Sequence, residues 1–460
     1  MSLSHDVIVI GGGSAGYAAA RTAQAEGADV AIIDHGPLGG LCILRGCMPT
    51  KAILRSSDIA ALIRRAPEFG LHTHGMQANL SAIIDRKNRL IKAFADDRIQ
   101  SLTDSRFTLY HERAHFLSPS ELQVGPQRIS AKNIIIATGS VVANPDIKGL
   151  EEVGYLTSDD ALELSTVPES LIVLGGGPVG LELAQFFSRI GVQVTLLQRS
   201  DHVLSDSDED LARPVETRFR EEGLQVFTGT AIHEITAAGI LKIVHFLHKG
   251  QPQQATASTI LQALGRRPNI DGLHVEAAQL LLQKGKIVVD STMRTSQPHI
   301  YAVGDVNGLH EIVHIAIEQG EIAGWNATHP TQSPKHFDER LKAQVVFTDP
   351  QIASVGLSEK ECKKNDISYL VASYPFNDHG KSLCLGETHG HVKVLCDPHS
   401  GTILGGHIVG PEASELIHEL IAVMYFSGTV RDLFRIPHYH PTLAEILTYP
   451  AEELINQLLH

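Results

Sequence analysis

The sequence predicts an α/β protein with two doubly wound, parallel-sheet units and a smaller α+β domain at its C-terminal end. Three observations predict it. First, VIVIGGGSAGYAAARTAQAEGADVAIID at residues 7–34 returns at 171–198 as LIVLGGGPVGLELAQFFSRIGVQVTLLQ, an offset of 164. Second, KNIIIATGS at 132–140 and STILQALGRRPN at 258–269 are apolar runs that end in glycine, as buried strands do when they finish against a ligand. Third, the pattern after residue 335 changes to alternating strands with turns at Asp-Pro and Ser-Gly. The 460 residues, 43% hydrophobic, allow roughly two to four cores, and 40 glycines suit α/β loops better than an all-helical fold.

Each copy of the repeat reads as a buried strand, a glycine turn, an amphipathic helix and a second strand. Each carries G-x-G-x-x-G: Gly11, Gly13 and Gly16, then Gly175, Gly177 and Gly180. Such glycines let the backbone turn tightly and approach a pyrophosphate, which sits on the helix N-terminus where N–H groups lack partners. Ser14 and Ala15, and Pro178 and Val179, complete the two loops. The residue closing the second strand reads the adenosine ribose. In the first copy it is Asp34, an acceptor for ribose hydroxyls. In the second it is Gln198, followed by Arg199. The missing carboxylate removes repulsion toward a 2′-phosphate and Arg199 can pair with one, so the second site leans toward NADP.

IYAVGDVNG at 300–308 places Gly304 and Asp305 at another strand end. By itself Asp305 reads as a helix cap, or as a ligand for hydroxyls. The C-terminal part holds QVVFTDPQIASVGLSEKE, GHVKVLCDPHSGTILGGHIVG and an amphipathic helix in ASELIHELIAVMYFSG, with no nucleotide loop.

A net charge of −14 repels nucleic acid and anionic membranes, so neither is an expected partner. No apolar run of about 18 residues is present to span a bilayer. The first strand, HDVIVI, is expected to begin at His5, which leaves no room for a signal peptide. The five cysteines (Cys42, Cys47, Cys362, Cys384 and Cys396) are an odd, sparse set that fits a reducing, cytoplasmic compartment. There a close pair reads as catalytic or metal-binding. Structural zinc usually takes four Cys or His ligands in close pairs, and no second pair exists, so no metal is expected.

That close pair lies in GGLCILRGCMPTK, residues 39–51. A regular helix would hold residues 42 and 47 about 8–9 Å apart on different faces. A disulfide needs Cα atoms within about 7 Å. Bonding therefore requires a distorted backbone, which Gly46 makes easier. A strained, accessible disulfide is a reducible one.

Together and in order, these segments resemble the FAD-dependent pyridine nucleotide–disulfide oxidoreductases over nearly the whole chain. GGGSAG with Asp34 looks like the FAD loop and GGLCILRGCMPTK like the redox-active disulfide. IIIATGS, GGGPVGLELA, LGRRPN and AVGDV look like successive family motifs, and IPHYHPTLAEIL like the acid/base segment. The resemblance implies an FAD domain at 1–150 and 271–335, an NAD(P) domain at 151–270 and an interface domain at 336–460. It implies FAD contacts at Gly40, Thr138, Gly139, Gly304 and Asp305 besides the first loop, and an NAD(P) contact at Gly265 besides the second.

The resemblance also implies roles. Cys47 faces the flavin and forms a charge-transfer thiolate, and Cys42 is the interchange thiol. A helix N-terminus and a nearby base lower both pKa values. Lys51 stands beside the flavin, paired with Glu182. His440, oriented by Glu445, moves the thiol proton for the disulfide of the other subunit, which requires a homodimer. Electrons then pass between NAD(P)H (NADPH by preference), FAD, the Cys42–Cys47 pair and a thiol or disulfide substrate. HPTLAE is closest to dihydrolipoamide dehydrogenase-like members. An NADPH-dependent reductase of glutathione or another disulfide is the alternative. A quinone reductase or a redox-sensing flavoprotein leaves His440 and Glu445 unexplained. Mercuric reductase and large thioredoxin reductase use a C-terminal cysteine pair absent from AEELINQLLH. Leu44 stands where the family carries Asn, Leu41 where small or hydroxyl residues are common, and Ser205 where a second basic residue would favour NADPH. His407, His418 and His438 read as surface or packing residues.

Overall fold

The computed structural model describes residues 3–459. It divides into two compact units. The first takes in the chain up to Ala52, Ala82–Asn144 and Gly265–Asp338. The second takes in Ile53–Ser81, Pro145–Leu264 and the chain from Glu339 onward.

The first unit is built on β1 (Leu3–Ile10), α1 (Ser14–Ala25) and β2 (Val30–Ile33). The chain continues through α2 (Gly40–Leu44), α3 (Cys47–Arg65), whose first turns belong here, and α4 (Leu80–Leu102). Four strands follow: β3 (Thr108–Tyr110), β4 (Ala114–Ser118), β5 (Glu121–Val124) and β6 (Gln127–Ile136). The sheet order is β3-β2-β1-β6-β5-β4, with Ile300–Ala302 added beside β6. Val7 to Ile10 are all buried, so the run is apolar on both faces, as a central parallel strand requires. β1 begins at Leu3, earlier than His5, because Leu3 pairs with Ile129.

Strands β2 and β6 flank β1 in parallel, so the chain reverses its winding between β1 and β6. Open α/β sheets bind ligands at that switch point, outside the carboxyl ends of the strands. The pairing of Ile300–Ala302 with Ile134–Ile136 carries Asp305 to the same end. On one face of α1 the side chains are alanines (Ala15, Ala19, Ala20, Ala23). The helix Val313–Thr328 closes on it through Gly320, where a Cβ would stand 2.3 Å from the Ala15 carbonyl oxygen.

The second unit repeats the design. Gln225–Phe227, Gln193–Leu197, Ser170–Leu174 and Thr259–Gln262 form a parallel sheet in that order. The helix Pro178–Arg189 follows its first strand. The C-terminal part is a five-stranded antiparallel sheet in the order Ala343–Val346, Gln351–Gly356, Ile403–Gly410, His391–Cys396, Leu370–Pro375. The expected Asp-Pro and Ser-Gly turns join its strands at Asp349–Pro350 and Ser400–Gly401. Helices Ala413–Tyr425 and Thr448–Leu458 bury Ile417, Leu420 and Leu454 in the core shared with this sheet. Lys393, 2% exposed, meets Asp208 and Asp210 at 2.8 Å and Glu359 at 3.3 Å. Asp208 also accepts the backbone N–H groups of Glu359 and Lys360, so this carboxylate caps a helix distant in sequence. Among the described residues no helix is long and apolar enough to cross a membrane.

Candidate active site

In the first unit Gly11 turns the chain out of β1 at φ +107°. A Cβ at Gly16 would stand 1.8 Å from the Gly11 carbonyl oxygen, so α1 seats directly on the turn. Gly13 precedes α1 in extended conformation, and no side chain caps the N–H groups of the first turn, from Ser14 through Gly16. Asp34, at the end of β2, accepts the Gly12 N–H through Oδ2 and the Gly36 N–H through Oδ1, both at 2.7 Å. Each oxygen keeps a second lone pair for a hydroxyl.

Gly304 closes on Ala15, bringing Asp305 beside this loop. Asp305 is not the helix cap it resembles in isolation. It lies inside a short 3-10 turn without capping it, and its Oδ2 accepts the Ser140 hydroxyl at 2.6 Å. Arg266 holds Ser140 in turn, through Oγ at 2.8 Å and the carbonyl at 2.9 Å. Thr138 and Gly139 follow β6. The Thr138 Oγ1 is buried without a hydrogen-bond partner among the described residues. A cradle without side chains, an uncapped helix start, an acid at the strand end and an orphaned hydroxyl fit FAD bound through its pyrophosphate and ribose.

The second loop has the same geometry. Gly175 turns at φ +105°, and a Cβ at Gly180 would stand 2.0 Å from its carbonyl oxygen. Gly177 precedes Pro178, and Val179 is exposed at the start of the helix. Gln198 takes the place of Asp34: its Oε1 accepts the Gly176 N–H at 2.7 Å, and its Nε2 donates to Ser200 at 2.9 Å. Arg199 is exposed. Gly265, expected at this loop, is grouped with the first unit, where its carbonyl accepts the Ala143 N–H.

The cysteine segment lies against the first loop. A Cβ at Gly40 would stand 2.6 Å from the Gly13 Cα. The helix breaks between the cysteines: α2 ends at Leu44, Arg45 adopts φ −143°, and α3 starts at Cys47. A Cβ at Gly46 would come within 3.1 Å of the Leu41 carbonyl oxygen and 3.3 Å of the Cys42 Cα, so the small residue lets the two turns close. Leu44 folds back over Gly39.

Cys42 and Cys47 are present as thiols and share a side-chain hydrogen bond. That bond, with burial and the Cys47 charge, pushes the Cys42 thiol well up, while Lys51 opposes the shift. The sequence led us to expect both thiols lowered. Two sulfurs in contact cannot both carry charge, so one proton stays on the pair. Lys51 follows Cys47 by four residues along α3.

His440 and Glu445 lie together in the second unit. His440 Nδ1 meets Glu445 Oε1 at 2.9 Å, and Glu445 Oε2 accepts the Thr442 N–H at 2.7 Å. These bonds hold the Glu445 carboxyl below its usual range. The imidazole is 83% exposed, so its Nε2 edge can be reached from outside the unit. Glu182 is buried in the same unit, where its Oε1 accepts the Phe347 N–H at 3.0 Å.

Three residues of interest are not singled out in the sequence, although Ser140 and Arg266 lie within the motifs KNIIIATGS and LGRRPN. Ser140 and Arg266 support Asp305, and their partners lie over 100 residues away in sequence. Arg98 on α4 stacks over Tyr17. A cation on an otherwise amphipathic helix carried no local signal.

Residues 5–320 match the family described as pyridine nucleotide-disulphide oxidoreductase, and residues 342–451 its dimerisation domain. A dihydrolipoyl dehydrogenase of Chlamydia muridarum is 32% identical over 100% of this chain and 99% of its own length. A mercuric reductase of Staphylococcus aureus is 33% identical over 97% of this chain and 82% of its own. Among solved structures, the HOCl-induced flavoprotein disulfide reductase RclA from Escherichia coli superposes with a TM-score of 0.85, at 25% identity, covering 97% of this chain and 99% of that one.

Proposed function

Since the chain belongs to the FAD-dependent pyridine nucleotide–disulphide oxidoreductase family, we propose that it is a dithiol–disulfide oxidoreductase of the dihydrolipoamide dehydrogenase type. In this reading the first glycine loop, Asp34, Thr138, Gly139, Gly304 and Asp305 hold FAD. The second loop with Gln198, Arg199 and Gly265 holds NAD(P)H. Residues 1–150 and 271–335 form the FAD domain, 151–270 the NAD(P) domain and 336–460 the subunit interface. FAD, when bound, carries an electron pair between the nicotinamide and the cysteine pair.

The observation that carries the reading is the Cys42–Cys47 contact against the first loop, in a chain that also builds the His440–Glu445 dyad. A neutral His440 Nε2, supplied by the partner subunit, takes the Cys42 proton, while Glu445 steadies the Nδ1–H. The Cys42 thiolate attacks a substrate disulfide. One S–S bond breaks, a mixed disulfide forms, and His440 returns the proton to the leaving thiolate. The Cys47 thiolate then attacks the Cys42 sulfur, which breaks the mixed disulfide, leaves the Cys42–Cys47 disulfide and releases the second half of the substrate as a thiolate that takes its proton from solvent. Lys51, four residues after Cys47 on α3, supplies positive charge beside Cys47. The reverse sequence oxidises a dithiol.

Gln198 and Arg199 favour NADPH, and with them a second reading: an NADPH-dependent reductase of glutathione disulfide or another disulfide. The deciding assay is reduction of NAD+ and NADP+ by dihydrolipoamide on FAD-loaded protein. Rapid turnover with NAD+ supports the dihydrolipoamide reading and refutes the NADPH preference. No turnover with either coenzyme, in protein whose flavin NADPH still reduces, favours the second reading.

A further inference from the structure

Helix α4 holds a cation that this mechanism does not use. One turn beyond Arg98, Leu102 packs on the first loop, where a Cβ at Gly12 would meet its side chain at 3.2 Å. The Arg98 guanidinium lies over the Tyr17 ring, 4.6 Å from its centroid. Tyr17 is one turn into α1, its N–H bonded to the Gly13 carbonyl, and Gly13 is the residue on which Gly40 closes. Helix α4 thus meets α1 at Tyr17, and the segment that leads to Cys42 meets the start of α1 at Gly13, one turn before Tyr17. The Arg98 charge interacts with Cys42, Tyr17, Asp97 and Arg21. Arg21 already has a carboxylate, Glu321 at 2.5 Å. Arg98 Nη1 is buried and has no hydrogen-bond partner among the described residues.

A buried N–H of a guanidinium is costly to leave unmatched. Burial pushes the Arg98 pKa down, yet arginine stays charged. Stacking on an aromatic ring fixes the planar fork, and a fixed fork suits a carboxylate. We propose that Arg98 is a specificity-determining residue that takes a carboxylate of the thiol or disulfide substrate as its sulfur reaches Cys42, so that anionic substrates are preferred over neutral ones. The proposal rests on Cys42 being the interchange thiol, and it names the substrate class that the mechanism leaves open.

The test is alkylation of the reduced holoenzyme by iodoacetate, which is anionic, and iodoacetamide, which is neutral, read at the Cys42 peptide by mass spectrometry. The rate ratio of iodoacetate to iodoacetamide should fall about fivefold or more in Arg98→Met, which keeps an apolar stem on Tyr17, and less in Arg98→Lys. Equal slowing with both reagents would mean that Arg98 only tunes the thiolate, and no change in either would mean that it does not serve Cys42; both overturn the proposal. Steady-state rates add a second readout. For 5,5′-dithiobis(2-nitrobenzoate), a dicarboxylate, kcat/KM should fall about tenfold relative to that for neutral lipoamide, mainly through KM. An unchanged ratio of the two also overturns it. If wild-type protein reduces no disulfide, the proposed function fails, and the alkylation ratio still decides the role of Arg98.

Discussion

At the scale of single residues, the chemistry depends on one proton held between two sulfurs. The Cys47 contact and burial both push the Cys42 thiol up, toward its neutral form. Cys42→Ser should therefore abolish thiol turnover, with a fall of at least about a thousandfold, while NAD(P)H-driven reduction of a quinone persists. If thiol turnover survives, the cysteines are not the relay. His440→Gln should lower thiol turnover by about 10²–10⁴, the usual worth of a general acid–base, and Glu445→Gln by less. A Glu445→Gln loss as large as that of His440→Gln would mean that the carboxylate does more than orient the ring. These residues were legible because their motifs are local: C-x4-C beside a glycine loop, and His-Pro five residues before a glutamate. Arg98 and Ser140 were not, because each acquires its meaning only from partners brought close by folding.

At the scale of elements, the two glycine loops were readable in advance, since strand, turn and helix follow one another within 28 residues of sequence. The broken helix between the cysteines was readable too, from the reach of a disulfide and the presence of Gly46. The cluster around Lys393 was not, because it joins the start of the helix Glu209–Glu221 to a β-strand nearly 200 residues later. Removing one partner of a buried ion pair typically costs about 3–5 kcal/mol. Lys393→Met should lower stability by that order at pH 7, measured by urea unfolding.

The pH dependence of this cluster has a definite sign. Burial opposes the charge on Asp208, yet the Lys393 contact and two backbone N–H groups hold its carboxyl below the usual range. The folded state therefore binds fewer protons than the unfolded one. The stabilisation is complete above about pH 4, the unfolded value, and is lost as pH falls through the depressed one. Lys393→Met should flatten the acid limb of the stability curve. An unchanged limb would show that the two backbone N–H groups alone depress the Asp208 pKa.

At the scale of the whole molecule, the dimerisation region presents large apolar side chains to solvent: Phe426 at 80% and Tyr439 at 83% exposure. A single exposed aromatic is ordinary, but Tyr425, Phe434 and Ile436 are also exposed along the same stretch, which is the composition of an interface. The double variant Phe426→Asp, Tyr439→Asp should sediment as a monomer. Thiol turnover should fall with the dimer while quinone reduction remains. A monomer with full thiol turnover would refute a site shared between subunits. The change of pattern near residue 335 marks the start of the region that matches the dimerisation domain, residues 342–451. The grouping of Ile53–Ser81 with the second unit could not be read from the sequence, because it rests on pairs such as Asp58–Arg189 and Arg65–Glu387, whose members lie over 100 residues apart in sequence.

The bond from Asp34 to Gly12 and the bond from Gln198 to Gly176 are the same brace, made once by a carboxylate and once by a carboxamide. The loop needs an oxygen there and is indifferent to the charge behind it. Gln198→Glu should accordingly preserve the loop and lower the NADPH-to-NADH ratio of kcat/KM by about tenfold, through repulsion of the 2′-phosphate. Glutamine and glutamate codons differ by one base. A lineage carrying this brace can thus trade one metabolic currency of reducing power for another in a single mutational step, without passing through a misfolded ancestor.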